Sequence, residues 1–143
     1  MALNVNTAVA HSKANALTLA QYLAKRGRGE QTYCARAVRL ALEAGGVTLA
    51  STRFAWQYGE SLISAGFTAL DPAPVTYEMG DVVVIGKFPG NSFGHMAIYD
   101  GEHWVSDFVQ KEIYPGPAYR SKKPPYQIYR YQAGAEVSNQ ILP

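Results

Sequence analysis

The sequence predicts an α+β domain in which N-terminal helices pack on an antiparallel sheet. Apolar residues recur at helical spacing up to about residue 66. After residue 80 short β-branched and aromatic runs replace them, each bounded by glycine, proline or aspartate. At 143 residues the chain suits one domain, able to bury about two thirds of the surface its unfolded form exposes. We read residues 1–143 as that single domain, with a core over 7–132 and a tail over 133–143.

Residues 7–26 read as the first helix. Asn6 or Thr7 caps it, and Val9, Ala16, Leu19, Ala20 and Leu23 make its apolar stripe. Gly27 and Gly29 end it. Residues 33–44 read as the second helix, with Thr32 as N-cap and Gly45-Gly46 as the stop. Its apolar face is Cys34, Ala37, Val38, Ala41 and Ala44, and its polar face is Arg36, Arg39 and Glu43. A third helix, capped by Ser51, carries Phe54, Tyr58 and Leu62 and ends near Gly66. Asp71 to Pro74 is a turn, and Val82 to Ile85 a buried strand. Residues 88–94, FPGNSFG, are a loop, followed by a strand over His95 to Tyr99, a turn at Asp100-Gly101 and a strand from His103 to about Val109. Residues 114–125 hold four prolines and read as an irregular connection before a last strand over Gln127 to Tyr131.

Charge excludes little. A net charge of +2 is too small a bias to argue for nucleic acid, although it suits an anionic polymer. No run approaches 18 apolar residues, so no membrane insertion is expected. The start, MALNVNTAVAHSK, has no basic region leading into an apolar run and a cleavage site. The chain is therefore expected either to stay in the cytoplasm or to leave by a route that needs no cleaved signal. One cysteine forms no internal disulfide, and no metal or cofactor is expected.

That cysteine, Cys34, falls in the first turn of a helix. There the helix supplies roughly half a positive charge and several unpaired N–H donors. These lower a thiol pKa and can bind the oxyanion formed when a thiolate attacks an amide. The competing reading is a small buried apolar residue. A nucleophile needs a base. His11 sits among polar residues of the first helix and reads as a surface residue, and His103 as an exposed hairpin residue. His95 opens a strand directly after a glycine-containing loop, which gives ligands close access.

An orienting acceptor for His95 follows from hairpin parity. With a two-residue loop, Asp100-Gly101, His95 faces Ser106; with a three-residue loop, Tyr99 to Gly101, it shares a face with Val105 and, diagonally, Asp107. A carboxylate holds an imidazole better than a hydroxyl does, so we expect the three-residue loop and Asp107, with Ser106 as the alternative.

Three blocks, TYCARAVRLALEAGG, MGDVVVIGK and FGHMAIYDGEHWVSDF, together resemble the papain-like CHAP/NlpC superfamily of cell-wall cysteine amidases and peptidases. They span residues 32–108, and the twelve-residue step from His95 to Asp107 suits the third polar position, which is His, Asn or Glu in many members. The resemblance implies a papain-like fold and a catalytic domain in which Cys34 attacks a peptide carbonyl. His95 takes the thiol proton and Asp107 orients His95. The N–H of Cys34, helped by Gln31 or Tyr33, holds the oxyanion. It implies peptidoglycan as substrate, cut at an amide bond of its peptide part. A wall-cutting domain without an export signal resembles either a type VI-secreted amidase effector, which implies a cognate immunity protein plugging the cleft, or a phage lysin; the small bare domain favours the effector. Either would be made in the cytoplasm and act in the periplasm or wall after delivery. The alternative enzyme is a cysteine deamidase or transglutaminase-like toxin acting on a protein glutamine. The non-enzymatic alternative is a binding module with Cys34 as packing.

Overall fold

The computed structural model describes residues 2–26 and 34–132. Gln31, Thr32, Tyr33, the expected helix stop at Gly27 and Gly29, and the tail lie outside the described residues, as do the side chains of Leu19, Ala20 and Leu23.

Helix α1 spans Val5–Arg26 and α2 spans Cys34–Ala44. The cap of α1 is Asn4 rather than Asn6 or Thr7. Its side-chain oxygen accepts the Thr7 N–H at 3.0 Å, as a helix start requires. The Asn4 N–H donates to Gly45 O at 2.8 Å, so the start of α1 is tied to the end of α2. Helix α2 buries Cys34, Ala37, Val38, Ala41 and Leu42; Ala44, expected on that face, is exposed. The third helix is split into a 3₁₀ turn, Ala55–Gln57, and a short α3, Gly59–Ser64.

Among the described residues six strands form one antiparallel sheet in the order β1-β6-β2-β3-β4-β5. They are β1 (Phe67–Leu70), β2 (Val82–Ile85), β3 (His95–Tyr99), β4 (Trp104–Val105), β5 (Val109–Gln110) and β6 (Tyr126–Tyr131). A meander runs from β2 to β5, but β6 returns to lie between β1 and β2. Both sheet faces are covered, which explains why all four residues of β2 are buried. Val82 and Val84 join Met96, Ile98, Val38 and Leu42 on the helix side. Val83 and Ile85 join Ala97, Trp104, Ile128 and Tyr119 on the other.

The Gly-Asp opening of β2 has a structural reason. Gly80 takes φ +97°, and Val5 stands 2.9 Å from where its Cβ would be. Asp81 is 1% exposed, and its carboxylate takes both Arg130 Nε and Nη2 at 2.8 Å, joining β2 to β6.

Four further differences from the expected elements are found. The β3–β4 loop is four residues, Asp100 to His103, because the Asp100 carboxylate accepts the Glu102 and His103 N–H groups at 2.8 and 2.6 Å and so lengthens the turn. The strand expected over 103–109 is folded in half at Ser106 to Phe108, giving β4 and β5. Residues 117–122 of the proline-rich connection form a helix, α4 (Pro117–Lys122), with proline at its start, where its missing N–H costs nothing. Phe67–Leu70 is a strand that the reading above does not contain.

Gly94 sets the entry into β3. It takes φ +67°, and an added Cβ would lie 2.5 Å from Ile85 O and 2.8 Å from the Trp56 Cβ. Neither a backbone carbonyl nor a β-carbon can give way. Gly94→Ala is therefore expected to cost about 2 kcal/mol or more, from left-handed strain and overpacking. Urea unfolding checks this; unchanged stability would show that the close approach is absent.

Candidate active site

Cys34 is the first residue of α2 and is fully buried. Its apolar neighbours on α2 press the helix against β3, and this brings the sulfur to the strand start. The N–H groups of Met96, Ala35 and Cys34 itself are aimed at the sulfur. Met96 directly follows His95, so the thiol meets the backbone of the histidine strand. Burial nevertheless pushes the thiol up to about 12, with the Asp107 charge adding to the rise; the three N–H groups only oppose it. The resting sulfur is a neutral thiol.

His95 is 3% exposed, and burial holds its imidazole down to about 4, against a small rise from Gln110. Its Nε2 lies 2.7 Å from Gln110 Oε1. The Gln110 amide has a fixed direction, because its Nε2 donates to Glu112 O at 2.9 Å and Ile113 O at 3.2 Å. Oε1 must therefore accept, so His95 Nε2 carries the proton and Nδ1 is the basic nitrogen. This neutral tautomer suits a base that takes a thiol proton through Nδ1.

Tyr119 of α4 clamps the same strand start. Its hydroxyl donates to Gly94 O at 2.8 Å and accepts from Asn91 Nδ2 at 3.1 Å, and its ring meets the His95 ring edge-on at 5.8 Å. Burial, then the Cys34 charge, push its hydroxyl up to about 12, so it stays protonated and within electrostatic reach of the sulfur. Asn91 Oδ1 accepts the Phe93 and Gly94 N–H groups at 2.9 and 3.2 Å, which ties the FPGNSFG loop to this clamp.

Of the expected residues, His95 opens β3 and the Cys34 sulfur meets the backbone of the next residue, Met96. Asp107 is 1% exposed rather than solvated, and its charge acts on Cys34. The hydrogen-bond partner of His95 Nε2 is Gln110, not Asp107 or Ser106. With Ile98 opposite Val105, the hairpin turns the expected parity over. Ser106 is buried at the β4–β5 turn, where its N–H donates to Phe108 O at 2.9 Å. Gln31 and Tyr33 lie outside the described residues. His103 is exposed as expected, while His11 is half-buried. The sequence reading misses Gln110 and Tyr119. Gln110 falls just past the strand expected to end near Val109 and Tyr119 in the connection read as irregular, and both are placed by turns that only the structure shows.

An antiparallel sheet backed by helices, with a cysteine at a helix start beside a histidine at a strand start, defines a papain-like cysteine hydrolase of the NlpC type. No protein-family model matches the sequence, and no curated protein matches it. Solved structures do. The type VI effector–immunity complex Tae3–Tai3 from Ralstonia pickettii contains a chain 44% identical to this one, with TM-score 0.71, covering 90% of this chain and 98% of that one. The selenomethionine form of the same complex gives 43% identity and TM-score 0.69 over 87% and 99%. The chain belongs to the Tae3 family of type VI secreted peptidoglycan amidase effectors. Among the described residues no helix is long and apolar enough to cross a membrane.

The Asp107 charge yields a testable sign. A carboxylate beside a thiolate disfavours it, so removing the charge lowers the thiol pKa and raises the thiolate fraction. Asp107→Asn is expected to be alkylated by iodoacetamide several-fold faster than the native protein at pH 9, and still slowly at pH 6, because burial remains the larger cause. Equal rates at pH 9 would place the carboxylate charge out of reach of the sulfur.

Proposed function

We propose that this effector hydrolyses an amide bond in the peptide part of peptidoglycan, with Cys34 as nucleophile and His95 as its base. The observation that carries the reading is the thiol at the first turn of α2 held against the His95–Met96 backbone, in a chain 44% identical to a type VI effector. His95 Nδ1 accepts the thiol proton as sulfur attacks the carbonyl, then returns it to the leaving amine. Because thiol and imidazole both rest neutral, proton transfer is coupled to attack rather than completed beforehand. The N–H groups of Cys34 and Ala35, in the first turn of α2, suit the oxyanion. Gln110 takes the orienting role, as an amide does in the Cys-His-Asn arrangement of papain-like proteases. Burial, with the Asp107 charge adding to it, keeps the resting thiol protonated.

Delivery follows from the class. A type VI effector is secreted, and this one acts in the wall compartment of the recipient cell. The Ralstonia relative is bound to the immunity protein Tai3. By analogy a cognate immunity protein covers the site of this chain in the cell that makes it.

Purified protein is expected to release defined muropeptides from sacculi, and Cys34→Ala to lower the rate at least about a thousandfold. Chromatography with mass spectrometry reads both activity and the bond cut. Undiminished release by the Cys34→Ala protein would contradict the proposal.

A further inference from the structure

A cavity of about 180 Å³ opens beside the first turn of α2, between that helix and the segment over residues 51–58. Its walls include Ala35, Arg36, Arg39, Thr52, Arg53 and Phe93. Ala35 follows Cys34 directly, so the cavity begins one residue from the sulfur. Arg36 and Arg39 stand three residues apart, which puts both side chains on one face of α2. Arg53 reaches in from the opposite wall, with its guanidinium carbon 5.1 Å from the Phe54 ring centroid.

These three arginines are not balanced. The ion pairs among the described residues engage Lys13, Arg120 and Arg130, and none engages Arg36, Arg39 or Arg53. Arg39 Nε is buried without a hydrogen-bond partner. Leaving a charged donor buried and unsatisfied is costly. In a chain with 11 carboxylates and 13 basic side chains, three guanidiniums around one concavity with no ion-pair partner among the described residues are a local excess. An anionic ligand that brought oxygens to Arg39 would remove the cost. The guanidinium fork matches a planar carboxylate, and the apolar surfaces of Ala35 and Phe93 suit the carbon chain that carries one.

We propose that this cavity is a carboxylate subsite, which holds a free carboxylate of the peptide substrate while the amide to be cut lies at Cys34. The inference rests on the amidase reading and adds a selectivity to it. Peptides whose carboxylates are free bind well, and the same peptides with those groups converted to carboxamides bind poorly. Arg36, Arg39 and Arg53 are then binding residues for the peptide rather than parts of the acid–base machinery.

The test separates binding from cleavage. Cys34→Ala protein is titrated by calorimetry with a synthetic stem tetrapeptide bearing free carboxylates, and with its carboxamide counterpart. The carboxylate form is expected to bind about tenfold tighter or more at low salt. The preference is expected to fall to about twofold or less when Arg36→Gln and Arg53→Gln are added, both exposed positions at which folding is not at stake. Arg39→Gln is expected to do the same, and Arg120→Gln, which lies outside the cavity, to retain the preference. Equal affinity for the two peptides, no binding of either, or a preference that survives the cavity substitutions would overturn the subsite. If native protein released no muropeptides while the carboxylate preference held, the amidase reading would fail and the subsite would stand.

Discussion

The rest of the structure depends on one close contact, the first turn of α2 against the first peptide of β3. The sulfur of Cys34 sits where the Met96 N–H points, and the strand has no room to slide. Gly94 lies so near Ile85 O and Trp56 that no side chain fits there, and the Tyr119 hydroxyl holds the Gly94 carbonyl from the other face of the sheet. Packing on both faces therefore converges on a single peptide unit. The fold fixes that unit through its core, with β2 buried throughout and paired to β3 in a register that sets Ile85 opposite His95.

Burial that fixes the geometry also sets the chemistry. In water a thiol and an imidazole differ in pKa by about two units. Here burial, with the Asp107 charge, raises the thiol to about 12, and burial lowers the imidazole to about 4. A separate proton transfer between them would cost on the order of 10 kcal/mol. In the proposed mechanism the mutual attraction of thiolate and imidazolium and the new bond to carbon must offset that cost together, so the nucleophile forms only as it attacks. The same burial links His95 to stability. Its contribution is fully present above pH 6.5 and is lost as pH falls toward 4, because the unfolded chain takes the proton first.

How much was legible depended on whether a residue's role is local. The apolar periodicity of α2 and the β-branched run of β2 follow from what each segment buries, and both were readable. Cys34 and His95 were singled out through local signals, a helix start and a glycine-preceded strand. The hydrogen-bond partner of His95 Nε2 was not, because it depends on turn lengths. Asp-Gly reads as a short turn, but the Asp100 side chain accepts two N–H groups and makes the loop four residues long. A second tight turn at Ser106 to Phe108 then brings Gln110, not Asp107, to His95 Nε2. Phe67–Leu70 was missed because four residues beside Gly66 carry too little pattern, and α4 because prolines hide a helix that starts on one.

Nitrogen NMR of the His95 imidazole across a pH titration addresses the central claim directly. Gln110 and burial predict the neutral tautomer with the proton on Nε2, persisting on acidification to about pH 4. A proton on Nδ1, or a titration at or above pH 6.5, would contradict the account, since Nδ1 would then be unable to take the Cys34 proton from a neutral resting site.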